Sequence, residues 1–529
     1  NNSFKGGVKM NRPKLRKYQA HKWDEPLLME LSTSGERGIH VIKAEKEIKE
    51  LIGDIKDLIP EKIVREKKPN LPELSQPQVL RHYLHLSQMV LGTDVTIDIG
   101  LGTCTMKYSP KIHEQIAASS KLTEIHPNQN EETIQGILEI LYKFGEIIKE
   151  ISGMDAVSFQ PGSGAQSIFL NTSMMRAYHE KNKDPSRKEI ITTMFSHPTN
   201  AACPATAGYD VLTLMPEENG LPSLEALKEM VSENTAGLLI TNPEDTGIFN
   251  PKIKEFVDTV HNAGGLCIYD QANANGILGK FRARDIGFDM CHFNLHKTFS
   301  SPHGSMGPAC GVVACTKEIA KFLPSPIITF DGDKYKLDYN RPDSVGKIKG
   351  FFGNIGVVLR AYSWVMSLGA KGLKEVAEIS VLNNNYLEKL LKKIKGVSVP
   401  YKTDKKRLDQ IRFSWEKMTD DTGVGSYDVE RRMTDFGLQS YWTSHYPWIV
   451  PEPFTPEPCE SYSLRDIEYF ASVMEQISKE AYENPELVKT SPHNSPISRI
   501  DESVMLDASK TALTYKQYLR KKGKENEKT

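Results

Sequence analysis

Six short apolar runs at 189–194, 211–214, 237–241, 265–269, 290–293 and 310–315 constrain this chain more than any other feature. Each is four to six residues long, too short for a helix, and apolar without clean alternation, which is the mark of a strand buried on both faces. Segments with helical spacing lie between several of them, at 224–231 and 253–263. Strand–helix alternation predicts a mostly parallel sheet covered on both sides, an α/β fold. Ahead of it, Ile134, Ile137, Leu138, Leu141, Phe144, Ile147 and Ile148 recur at helical spacing and predict an amphipathic helix over 133–151.

The flanks read differently. Residues 1–90 are charged and broken by prolines such as Pro72 and Pro77, an N-terminal arm with Met10 as a candidate natural start after residues 1–9. The large domain is expected over 91–370, a smaller C-terminal α+β domain over 371–484, where helices lengthen and strands thin out, and a charged tail over 485–529. Lys plus Arg number 67 against 68 Asp plus Glu, so the chain as a whole gives no electrostatic reason to expect nucleic acid. No run of about 18 apolar residues suggests a membrane span, and no secretory pattern is read at the N-terminus. The seven cysteines, Cys104, Cys203, Cys267, Cys291, Cys310, Cys315 and Cys459, form no C-x-x-C pair. That pattern predicts neither a disulfide framework nor a metal site, and a cytoplasmic location is the expectation.

Ligands of open parallel sheets sit beyond the carboxyl ends of the strands, so reactive groups there carry the functional reading. Lys297 follows the run at 290–293 in NLHKTFSSPHG; its amine can form a Schiff base with a carbonyl cofactor. Asp270 ends the run GLCIYD and offers a carboxylate to a protonated ring nitrogen, with Ala272 two residues on to pack against a flat ring. Gly162, Ser163, Gly164 and Ala165 precede a helical segment at 166–179, where small residues and the helix dipole suit a phosphate. His197 follows the run at 189–194 and can stack over a ring. Each feature alone has a plainer explanation: a surface lysine, a capping aspartate, a tight turn, a loop histidine. Together, in this order, they match the large domain of fold-type-I transferases that use pyridoxal 5'-phosphate (PLP). Nucleotide, zinc-protease, dinucleotide and serine-hydrolase motifs are absent from the sequence.

The sequence resembles the P-protein of the glycine cleavage system, in its subunit 2 form, over residues 71–484. The stretches that carry the likeness are GTCTMKYSPK (102–111), HPNQNEETIQG (126–136), ISGMDAV (151–157), AGGLCIYDQANAN (263–275), NLHKTFSSPHG (294–304) and YKLDYNRPDSVGKIKGFFGNIGV (335–357). The resemblance implies PLP-dependent decarboxylation of glycine and transfer of the aminomethyl group to the lipoyl arm of H-protein. It also implies a heterotetramer with P-protein subunit 1. Lys297, Asp270 and His197 would be catalytic, and Ser163, Gly164, Ala165, His197, Asp270, Ala272, His296 and Lys297 would hold the cofactor. The chain departs from the family pattern at Gln166, at Pro198 and Ala201, at Glu244 and Asp245, at Ser305 and Met306, and over 441–463. Because several departures adjoin the expected pocket, two further readings stay open here: a PLP-dependent paralogue acting on another amino acid, and a noncatalytic partner subunit of a heteromer. The Met306 loop is expected to tune substrate choice rather than cofactor binding.

Overall fold

Seven strands form the central sheet: β1 (Ala156–Ser158), β2 (Glu189–Thr193), β3 (Asp210–Leu214), β4 (Thr235–Thr241), β5 (Leu266–Asp270), β6 (Met290–Asn294) and β7 (Gly311–Cys315). In this computed structural model the described residues are 12–523 without Lys68, Thr93, Asp98, 100–106, 303–306 and 440–442. Met306 and Ser305 therefore lie outside the described residues, as do Tyr441 and Trp442. The strand order is β1-β7-β6-β5-β4-β2-β3. Neighbours from β6 through β3 pair in parallel, and β7 runs antiparallel to both β6 and β1. The α/β expectation holds, and β2–β7 coincide with the six apolar runs. Strand β1 is a further element: three residues between Gly153 and Pro161 are too few to show a period.

Helices cover both faces. Helix α1 (Gln135–Ser152) buries Leu138, Leu141, Phe144 and Ile148, the residues that predicted it, and stops at Gly153. Gly153 has φ +73°, a left-handed cap that an L side chain adopts only with strain. Helix α2 (Gly164–Lys181) buries Ile168, Leu170, Met174 and Met175 in a cluster with Ile190, Leu239 and Ile268 of the sheet. The other face packs Leu238, Ile240, Tyr269 and Phe293 against α1 and the 253–262 helix. A long helical stretch, Ile355–Leu391, is interrupted at Gly369, where φ is +64°. Beyond it, Leu387, Leu390 and Leu391 belong to a separate hydrophobic core with Phe413, Trp415, Phe470 and Ile477.

The chain divides into two units, one built from 92–490 with the segment up to Arg16, the other from Lys17–Leu91 and the stretch from Ser491. The second unit is thinly packed. Its helix Gln76–Gln88 presents His82 and His85, whose Nδ1 atoms lie 2.7 and 2.6 Å from the two oxygens of Glu25. The Trp23 ring stacks on His85 at 3.9 Å. Ile42, Leu51 and Leu506 are 84–94% exposed. No helix among the described residues is long and apolar enough to cross a membrane.

Candidate active site

The carboxyl ends of β4, β5 and β6 set the floor of the site. Thr241, Asp270 and His292 are register partners across these three parallel strands. Asp270 is 3% exposed. Its Oδ1 accepts the Ala272 N–H at 2.9 Å, a local turn that ends β5. Its Oδ2 accepts from the Asn200 amide at 3.0 Å and the Thr241 hydroxyl at 3.3 Å, and His292 Nε2 lies 3.3 Å from Oδ1. Burial alone would raise the Asp270 pKa, but the His292 imidazole, the Ala272 N–H and the Asn200 amide outweigh it and hold the carboxyl below its usual range. A buried, ionised carboxylate at a strand end can serve as partner to a cationic ring nitrogen.

Lys297 sits in the turn after β6, with its backbone N–H bonded to the Asn294 carbonyl at 3.1 Å. It is 7% exposed, and no side-chain hydrogen bond engages its amine among the described residues. Asn294, three residues earlier, ties the site together. Its N–H donates to the Ala272 carbonyl at 3.2 Å, and its amide lies 2.7–3.2 Å from where a Cβ on Gly164 would stand. Any larger residue at 164 would therefore displace Asn294. His296 is turned to the Cys310 backbone, with Nδ1 3.1 Å from the carbonyl.

Ser163 caps α2, its Oγ accepting the Gln166 N–H at 3.1 Å. The Gln166 side chain answers by accepting the Gly162 N–H at 2.7 Å. The family departure at 166 thus closes a reciprocal cap on the turn. The first N–H groups of the helix have no intrahelical acceptor and remain suited to an anion. His197 accepts the Thr199 N–H at Nδ1 (3.1 Å) and meets the edge of His445 at 4.7 Å between ring centres. Burial, then the positive charges of His445 and Lys297, push its pKa down to about 3, so the ring is neutral at ordinary pH.

The departures at 244 and 245 also find partners. Asp245 takes the Arg412 guanidinium and lies 3.3 Å from His445 Nδ1. Burial works against its ionisation, yet Arg412 and His445 hold its pKa down to about 2. Glu244 accepts from the Thr193 hydroxyl, and burial pushes its pKa up to about 8. Asp245 thus reaches residues 412 and 445 and is matched within the C-terminal part of the chain, whereas Glu244 is partnered by Thr193 at the end of β2.

The loop after β5 is anchored by a second carboxyl pair. Glu457 Oε1 accepts from the amides of Asn273 (2.7 Å) and Asn275 (2.6 Å). Glu457 and Asp409 are both buried, and burial raises both pKa values, Asp409 to about 6 and Glu457 further through the charge of Asp409. A carboxyl whose pKa is higher folded than unfolded favours the fold at low pH, and that stability is lost as pH rises above the unfolded value of about 4. We therefore expect the wild-type protein to lose more stability than Glu457→Gln as pH rises from about 5 to about 8. Urea unfolding of both proteins at the two pH values checks this. Equal losses would mean that the pair does not share a proton.

Asn200, Thr241, His292 and Asn294 were not picked out from the sequence. A signal existed for two of them: His292 and Asn294 are the polar residues inside the otherwise apolar run MCHFN. The structure brings Lys297, Asp270, Ala272, His197 and the Ser163–Ala165 turn to one end of the sheet. It places His296 beside them, engaged with backbone. This set fits PLP: an ionised carboxylate, an amine without a side-chain partner, a flat neutral imidazole and a small-residue turn with open N–H groups.

Among solved structures, the fold is similar to glycine decarboxylase (P-protein) of the glycine cleavage system in inhibitor-bound form. That match has TM-score 0.69 and 19% identity, covering 83% of this chain and 100% of that one. A NifS-like protein follows the same fold with TM-score 0.56 and 16% identity over 73% of this chain and 99% of that one. Residues 42–338 match the family described as glycine cleavage system P-protein, and 376–499 match the glycine dehydrogenase C-terminal domain. A Pyrococcus furiosus protein named "Probable glycine dehydrogenase (decarboxylating) subunit 2" is 45% identical over 96% of this chain and 99% of its own. A Staphylothermus marinus protein of the same name is 40% identical over 95% and 98%. By sequence along nearly its whole length, the chain belongs to the glycine cleavage system P-protein family.

Proposed function

We propose that this chain is the PLP-bearing subunit 2 of a glycine dehydrogenase (decarboxylating), an oxidoreductase acting on the CH–NH2 group of glycine. The observation that carries the reading is the ionised, buried Asp270 at the same strand ends as Lys297. PLP, when bound, supplies an electron sink for the pair released as the carboxyl group leaves the α-carbon. The residues divide the remaining work. Lys297 binds the cofactor's carbonyl through its amine. Asp270 holds a proton at the ring nitrogen, and Asn200 and Thr241 keep Asp270 in place. His197, neutral, flanks the ring, and the Ser163–Ala165 turn takes the phosphate. Ala272 and His296 complete the pocket wall.

The same reading makes Gly369 the division between a cofactor-binding part and a C-terminal part, as expected near residue 370. The hydrophobic cores support a change of packing slightly later along the helix: Leu373, Val376 and Ala377 still belong to the core of the sheet, and Leu387, Leu390 and Leu391 to the second core. The reading also assigns the arm and tail to partner contact. The exposed Ile42, Leu51 and Leu506 are apolar surface of the kind that a second subunit covers. The partners are then P-protein subunit 1 and lipoylated H-protein. The free thiols of Cys203, Cys267, Cys291, Cys310, Cys315 and Cys459 suit a reducing cytoplasm.

Close sequence identity to relatives named for glycine decarboxylation does not favour the paralogue. A noncatalytic role has no use for Lys297 and Asp270 together. The test is CO2 release from carboxyl-labelled glycine by the protein mixed with a first subunit and lipoylated carrier, beside alanine and serine. Glycine-specific, carrier-dependent release is expected; preference for another amino acid would overturn the reading.

A further inference from the structure

The cofactor's phosphate carries close to two negative charges, and the turn that would receive it offers only neutral N–H groups. We propose that Lys349 is the cation that anchors this phosphate, an assignment that rests on the cofactor reading above. Lys349 is distant from the turn in sequence but close in space. Its amine lies 2.8 Å from the point that a Cβ on Gly162 would occupy. It therefore stands directly over the residue that opens the phosphate turn.

The segment that carries Lys349 is fixed against the turn from below. Gly353, with φ +94°, presses so near the chain that a Cβ there would lie 2.3 Å from the Phe159 carbonyl oxygen. The Ile348 N–H donates to Gln160 Oε1 at 3.4 Å. Phe159 and Gln160 lead directly into the turn, so the lysine and the turn move as one piece. One N–H of the amine is held by Asn354 Oδ1 at 2.6 Å, and Asn354 itself donates to the Ala309 carbonyl. Two N–H bonds of the ammonium remain, and no carboxylate pairs with Lys349 among the described residues. An ammonium held by a neutral amide, beside a helix N-terminus of open N–H groups, is matched to a dianion. Lysine serves phosphate as a point charge in such settings.

Comparing two ligands that differ only in the phosphate isolates the contact. Apoenzyme of wild type, Lys349→Met and Lys349→Arg is titrated with PLP and with pyridoxal, following cofactor absorbance. Lys349→Met is expected to weaken PLP about 30-fold, the scale of one lost charged hydrogen bond, and to leave pyridoxal unchanged. Lys349→Arg should recover most of the PLP affinity. Unchanged PLP affinity in Lys349→Met would overturn the assignment, as would equal weakening of both ligands, which marks a packing effect. Wild-type protein that takes up no PLP would instead sink the cofactor reading itself. Normal PLP uptake with an indifferent Lys349→Met variant sinks only the anchor.

Discussion

Lys297→Ala removes the absorbance of lysine-bound cofactor and lowers glycine turnover by about 10⁴-fold or more, the scale of losing a covalent catalytic group. The fold should survive. The amine makes no side-chain hydrogen bond among the described residues, so truncation orphans no partner, and the turn is fixed by the Asn294 carbonyl through the backbone. Lys297→Arg separates charge from chemistry: it keeps a cation in the pocket but stays protonated and forms no covalent link. Both variants are checked by absorbance, thermal melting and CO2 release. If Lys297→Arg turned over near the wild-type rate, a positive charge alone would suffice and the covalent role would be wrong.

Asp270→Asn is expected to lose activity by about 100-fold or more while retaining cofactor, because an amide can hydrogen-bond the ring nitrogen without stabilising its positive charge. The structure sharpens this expectation. Oδ2 of Asp270 accepts from Asn200 and Thr241, and Oδ1 from the Ala272 N–H. An asparagine in the same pose must turn its NH2 toward one of these donors, so some local disorder accompanies the loss of charge. Asn200→Ala provides the comparison. It removes one donor, leaves the carboxylate, and should shift the pH profile of turnover more than it lowers the maximal rate. Near-normal turnover of Asp270→Asn would show that another group protonates the ring.

The strands that carry Lys297 and Asp270 were legible because a parallel strand buried on both faces is written as a short apolar run. Residues that act through those strands were harder to see. Asn200 reaches Asp270 across 70 positions, and nothing in FSHPTN distinguishes a pocket amide from a helix-start amide. Arg412 and His445 meet Asp245 across 167 and 200 positions. The departure at Asp245 looked like a change of substrate pocket until these basic partners were in view. Gln166 likewise differs from the family pattern yet completes the cap of the phosphate turn. Local departures read as functional when their partners are far along the chain, and closure of that distance is what the fold adds.

The central claim is that PLP is bound to Lys297. Borohydride reduction of the holoenzyme followed by proteolysis and mass mapping tests it most directly. The account predicts one phosphopyridoxyl-modified peptide, spanning the NLHKTFS segment with the label on Lys297. A label on any other lysine, Lys349 included, would contradict it.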